Sequence, residues 1–303
     1  MLNKSTSRPD IYTRVTSRII ADLEKGNLTW LKPWNADHLT ARITRPLRCN
    51  GEPYQGVNII LLWAAAVEHG FVSNHWMTFR QARELGGHVR KGERGEMVVY
   101  ADTMIRSEID PDSGEEVERA IPFMKAYTVF NVEQIDGLPE HFHVQPEPVN
   151  PEIERDDALE AFFGATGADI RHGGVQAYYA LQSDHVQMPP LECFRDSESY
   201  YATLAHEMTH WTRHPSRLNR NFGRKRFGDE GYAREELVAE IGAAFLCAEL
   251  GITPEIREDH AAYIDSWLTV LKHDKRAIFS AAAHAQRAVD YLRSLQQQDI
   301  RAA

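Results

Sequence analysis

The residues most directly suited to chemistry are His206-Glu207-Met208-Thr209-His210, an HExxH pentad in a chain of 303 residues. On a helix, residues four apart lie one turn apart on the same face, so both imidazoles can reach a single ion. Glu207 lies next to that face. A divalent ion held this way acidifies water, and a neighbouring carboxylate can take the proton during attack on a peptide carbonyl. The usual catalytic zinc arrangement has three protein ligands and one open position, so a third ligand is required. Farther along, Glu235, Glu236 and Glu240 accompany an otherwise apolar run that extends to Leu246. An acid buried on such a helix is costly unless it is paired or bound to metal. Glu236 is assigned as the third ligand and Glu240 as the carboxylate that hydrogen-bonds a ligand histidine. The two share a face one turn apart, so spacing leaves the reverse assignment open. Glu235 is expected to face solvent. The bland alternative is a pair of surface histidines beside a salt-bridged helix.

These side chains need particular elements to hold them. Asp196 is placed to N-cap a helix running to about Arg213, with Leu204, Met208 and Trp211 on its apolar side and Pro215 beyond its end. A second helix spans about Tyr232 to Leu250 and stops at Gly251. Thr253-Pro254 opens a helix to about His273, and a last one fills Lys275 to Gln298. Ala177 to Met188 suggests one or two strands, an edge along which a substrate peptide could lie. Tyr178 or Tyr179 could there donate to an oxyanion, although aromatic packing is the commoner role.

In the first half, Tyr12, Val15, Ile19 and Leu23 form a helical stripe that Gly26 could cap. Val57 to His69 is expected to be a buried helix interrupted by Asn58, and Thr78 to Leu85 a second helix closed by Gly86-Gly87. Strands are expected at Met97–Ala101 and Lys125–Asn131, separated by an exposed acidic loop from Asp110 to Glu118. Residues 139–157 contain four prolines and many acids, which marks a linker. The chain therefore reads as α+β with two domains, residues 1–138 and a mostly helical 158–303.

The net charge of −10 is unevenly distributed. Residues 1–100 carry 14 Lys/Arg against 9 Asp/Glu, and the other 203 residues carry 20 against 35. A basic first third is compatible with nucleic-acid binding despite overall acidity. Trp30, Trp34, Trp76, Arg90, Lys91 and Arg94 are the candidate contacts: aromatics stack on unpaired bases and cations track phosphates. The basic stretch Arg217, Arg220, Arg224, Lys225 and Arg226 is expected to be a solvated loop, with an extension of the DNA track as the alternative. Cys49, Cys193 and Cys247 are far apart and odd in number, so neither a disulfide framework nor a cysteine metal site is indicated. No apolar segment is long enough for a membrane span and no leader is evident, so a cytoplasmic protein without membrane contact is expected.

The segments YYATLAHEMTHWTRHPSRLNR and YAREELVAEIGAAFL resemble the metallopeptidase domain of ArdC-like antirestriction proteins, a zincin-like fold of the gluzincin type. GNLTWLKPWN, YQGVNIILL, HWMTFRQARELGGHVRKGERG and YTVFNVEQIDGL resemble the N-terminal single-stranded-DNA-binding domain that those proteins share with TraC-type primases. One departure stands out: the family pattern HWTGH has glycine where this chain has Arg213. The resemblance implies Zn2+, with another divalent metal such as Mn2+ also suitable, single-stranded DNA as a partner, an unidentified protein or peptide substrate, and protection of mobile-element DNA during conjugative entry. Three other roles fit the same residues: a DNA-activated protease acting on DNA-bound proteins, a DNA shield with a structural metal, and an accessory fragment of a primase.

Overall fold

The computed structural model describes residues 10–25, 28, 45–109, 116–142, 155–174, 176–194, 196–223, 229–253 and 260–296. Its N-terminal half contains α1 (Ile11–Leu23), β1 (Leu47–Arg48), α2 (Val57–His69), β2 (His75–Thr78), α3 (Phe79–Glu84), β3 (His88–Val89), β4 (Glu96–Ile109), β5 (Glu116–Asn131) and β6 (Ile135–Asp136). The C-terminal half contains α4 (Asp157–Gly164), β7 (Asp169–His172), β8 (Tyr178–Ala180), β9 (His185–Met188), α5 (Ser197–Trp211), α6 (Glu230–Leu250), α7 (His260–His273) and α8 (Ala277–Leu295). The architecture is α+β, as expected. The expected caps at Gly26 and Pro254 lie outside the described residues.

In the first half, four strands form a sheet in the order β1-β2-β5-β4. Only Val129 to Asn131 of β5 pair with β2, whereas β4 and β5 stay paired from Glu96↔Val129 to Ile109↔Glu116. The outer part of the pair is therefore a two-stranded ribbon extending beyond the sheet. The two short strands expected from sequence are the inner ends of this hairpin. Residues 101–107 are all exposed, so no buried face imposes the alternation that reveals a strand in sequence. The expected loop from Asp110 gives way to strand at Glu116, and 110–115 lie outside the described residues.

Asn58, the polar interruption in an apolar helix, has a structural reason. Its side chain donates to the Val99 carbonyl and accepts from the Val99 amide, both at 2.8 Å. It stands in for a neighbouring strand at the open edge of β4. Gly70 closes α2 in the left-handed conformation, at φ 73°.

In the second half, β7, β9 and β8 form a three-stranded sheet in that order, with β8 at an edge. The strand β7, absent from the sequence-based expectation, pairs in parallel with β9. Each half is long enough for its own core, yet one apolar core runs through both. Trp63 of α2 meets Phe245 of α6 edge to face at 6.0 Å, and Tyr12 of α1 meets Phe279 of α8 at 4.8 Å. The Thr16 hydroxyl donates to the Lys275 carbonyl at 2.7 Å. Buried Arg45 pairs with Glu249 and donates to Gln286 at 2.6 Å.

Candidate metal centre

The centre is built by α5 and α6. Asp196 caps α5, accepting from the Ser199 amide at 2.7 Å, and Asp229 caps α6. The helices approach closely at one point. A Cβ on Gly242 would lie 2.5 Å from Thr209 Cγ2, so glycine sets the distance at which the acids of α6 face the histidines of α5.

His206, His210 and Glu236 are buried, and their ligand atoms lie within 4.8 Å of one another. Glu236 stands between the imidazoles, with Oε2 3.7 Å from His206 Nε2 and Oε1 3.6 Å from His210 Nε2. These gaps are too long for good hydrogen bonds. They suit a shared ion, because tetrahedral ligands about 2.1 Å from a metal lie about 3.4 Å apart. The opposite nitrogens have their own carboxylates. Glu240 approaches His206 Nδ1 at 3.3 Å, and Glu235 approaches His210 Nδ1 at 3.0 Å. Burial disfavours a charged His210, but Glu236 and Glu235 outweigh it and raise its pKa to about 10. The donor set thus calls for a positive charge, and the residues fit a divalent cation.

Glu235 corrects the expectation from sequence. It is 2% exposed rather than solvent-facing. Arg220 holds it with two contacts of 2.8 Å and also donates to the Thr209 carbonyl at 2.9 Å. Burial opposes its charge, but Arg220 and His210 bring the Glu235 pKa down to about 2. Arg220 and Arg217 likewise do not form a solvated loop. The Arg217 guanidinium stacks on Trp211 at 3.8 Å and donates to Asp184; residues 224–226 lie outside the described residues. The signal for these pairs is the apolar circumference of α6, which leaves no solvent side for an acid.

A cavity of about 830 Å³ opens onto the triad and is lined by Glu207, β8 and the two tyrosines Tyr232 and Tyr263. The hydroxyls of those tyrosines lie 2.8 Å apart. Burial and the Glu236 carboxylate push the Tyr232 phenol up, which keeps its proton in place. Sequence spacing singles out neither residue, because Tyr263 comes from a separate helix. Of the two tyrosines on β8, Tyr179 has its hydroxyl committed to Asp184 at 2.8 Å. Tyr178 remains on the cavity wall.

Two family models match the chain. A zincin-like metallopeptidase model, MPTase-PolyVal, covers residues 157–284, and a model of the N-terminal domain of anti-restriction factor ArdC covers 9–130. The metal-free crystal structure of the antirestriction ArdC protein from plasmid R388 has a TM-score of 0.83 and 49% identity, over 96% of this chain and 99% of that one. The chain belongs to the ArdC antirestriction family. The Mn(II)-bound structure of the same R388 protein gives a TM-score of 0.81 at 47% identity, over 95% of this chain and 98% of that one. Protein y4eC of Sinorhizobium fredii is 46% identical over 95% of this chain and 92% of its own length. DNA primase TraC of Escherichia coli is 37% identical over 95% of this chain, which spans 27% of TraC.

The ArdC-type N-terminal half places the expected DNA contacts unevenly. Trp76 is 1% exposed and packs edge to face on Phe71 at 5.8 Å. It is a core residue, which corrects the expectation that it meets bases. Trp30 and Trp34 lie outside the described residues. Arg90 is exposed but pairs with Glu93 at 2.9 Å, while Lys91 and Arg94 are exposed on the same turn. The ribbon offers aromatics that sequence reasoning does not single out. Tyr100 and Tyr127 are each 46% exposed. Tyr100 lies 6.4 Å from Tyr127 and 6.2 Å from Phe123, and Lys125 sits 5.0 Å above the Phe123 ring. No helix among the described residues is long and apolar enough to cross a membrane.

Proposed function

We propose that this ArdC-family protein binds single-stranded DNA through its N-terminal half and hydrolyses peptide bonds at a Zn2+ site in its C-terminal half, shielding mobile-element DNA as it enters a new host. The observation that carries the peptidase reading is the buried His206-His210-Glu236 triad beside Glu207 at the floor of a cavity. His206, His210 and Glu236 would hold the ion, with Glu240 and Glu235 orienting the imidazoles. When bound, the ion polarises a carbonyl and acidifies water. Glu207 takes the proton of the attacking water and passes it to the leaving amine. The Tyr232–Tyr263 pair presents hydroxyls to the same cavity, where a developing oxyanion needs donors. A peptide adding to the open edge of β8 would lie along the cavity wall.

The DNA reading is supported by Tyr100, Phe123, Tyr127 and Lys125, which cluster on the ribbon, together with Lys91 and Arg94. Aromatic platforms with nearby cations bind unpaired bases with little sequence preference. The shared core also favours a second reading, a protease acting on proteins bound to the same DNA, because it fixes the ribbon relative to the cleft. Wild type, Glu207→Ala and Glu236→Ala, compared for bound zinc, single-stranded-DNA affinity and protection from restriction enzymes, test the proposal. Loss of zinc only in Glu236→Ala supports the ligand and base assignments. Full zinc in Glu236→Ala refutes the third ligand. Protection that persists in Glu207→Ala and follows DNA affinity alone makes the protein a shield without proteolysis in that role.

A further inference from the structure

The turn after α5 brings three arginines, Arg213, Arg217 and Arg220, into eight residues. Two are saturated. Arg217 is held by Asp184 and Trp211, and Arg220 by Glu235. Arg213 differs: it is half-buried, lines the metal-site cavity beside Tyr179, whose phenol feels its charge, and its guanidinium has no hydrogen-bond or ion-pair partner among the described residues. Its backbone is nevertheless fixed. The Arg213 amide donates to the His210 carbonyl at 2.9 Å, and the Arg213 carbonyl accepts from the Arg220 amide at 3.1 Å. The side chain therefore starts from a rigid point three residues beyond a triad histidine.

We infer that Arg213 is a specificity-determining residue that recognises a carboxylate of the peptide lying in the cavity. This rests on the peptidase reading above. A planar guanidinium matches a carboxylate through two parallel hydrogen bonds, and the partial enclosure of the cavity strengthens such a pair. A peptide is favoured over a DNA phosphate because the same cavity contains the triad and the open edge of β8. The carboxylate can come from an Asp or Glu side chain or from the peptide's C-terminus.

The test uses the full chain carrying Glu207→Gln, which prevents turnover, loaded with Zn2+ or Mn2+ and titrated calorimetrically. The probes are alanine-based hexapeptides with Glu or Gln scanned through each position, each with a free or amidated C-terminus. At least one carboxylate peptide is expected to bind about tenfold more tightly than its amide counterpart. Arg213→Gln abolishes the difference, and Arg213→Lys retains only part of it because the fork is lost. Preference following Glu identifies a side-chain site, and preference following the free terminus identifies a terminal one. Equal binding of acid and amide peptides, or a preference that survives in Arg213→Gln, overturns the inference and leaves the peptidase reading standing. Failure of every peptide to bind the metal-loaded protein refutes both. Loss of single-stranded-DNA affinity in Arg213→Gln, without loss of peptide discrimination, assigns the residue to DNA instead. Metal content and thermal melting of each variant verify that the fold is retained.

Discussion

The metal centre and the ribbon use opposite solutions to the problem of placing functional groups. At the centre, the ionisable groups have buried counterparts: Glu240 for His206, Glu235 for His210, Arg220 for Glu235. On the ribbon, Tyr100 and Tyr127 stand on two strands with no third strand alongside among the described residues. The first arrangement restrains each group through a neighbour, as the proposed coordination would require. The second leaves rings accessible, as the proposed stacking on varied bases would require. Damage to one should therefore spread through its network, and damage to the other should remain local.

The largest effect is expected for Glu235→Ala. It strands Arg220 in the interior, and breaking a buried pair in this way costs about 3–5 kcal/mol, readable by chemical denaturation of the metal-free protein. The same pair gives a pH signature. The folded pKa of Glu235 lies below its ordinary value, so its stabilisation is complete above about 4.5 and is lost as pH falls through about 2. Glu236→Ala should reduce metal affinity by more than the roughly 100-fold upper range seen when an outer partner is removed. Glu240→Gln should fall within that range, about 10–100-fold; equal losses from the two would erase the distinction between ligand and support. Gly242→Ala drives a methyl into Thr209 and should cost about 1–3 kcal/mol, with metal affinity falling alongside the melting temperature. Tyr100→Ala should weaken single-stranded-DNA binding by about 1 kcal/mol, at the lower end of the stacking range, and leave metal binding unchanged. A change in metal affinity in that variant would contradict the locality of the ribbon.

The centre is legible in the sequence because coordination imposes spacing. His206 and His210 are one helical turn apart, and Glu236 and Glu240 repeat that interval. Glu235 escapes such reasoning because spacing points to its neighbour Glu236 as the partner of the histidines, although α6 has no face left for solvent. Trp76 escapes it for a different reason. Composition reports that an aromatic lies near cations, and only the sheet reveals that its ring points into the core. The outer ribbon leaves no periodic trace because both of its faces are wet. Asn58 shows the reverse case: an apparent flaw in a helical pattern marks a contact with a distant strand edge.

The core shared by the two halves has a consequence for inheritance. Trp63 against Phe245, and Arg45 against Glu249, are meaningful only when both partners are encoded together. A recombination event that separated the halves would leave each with an exposed apolar face and Arg45 without its acid, Glu249 keeping Arg293. The seam therefore ties the two halves together as one heritable unit.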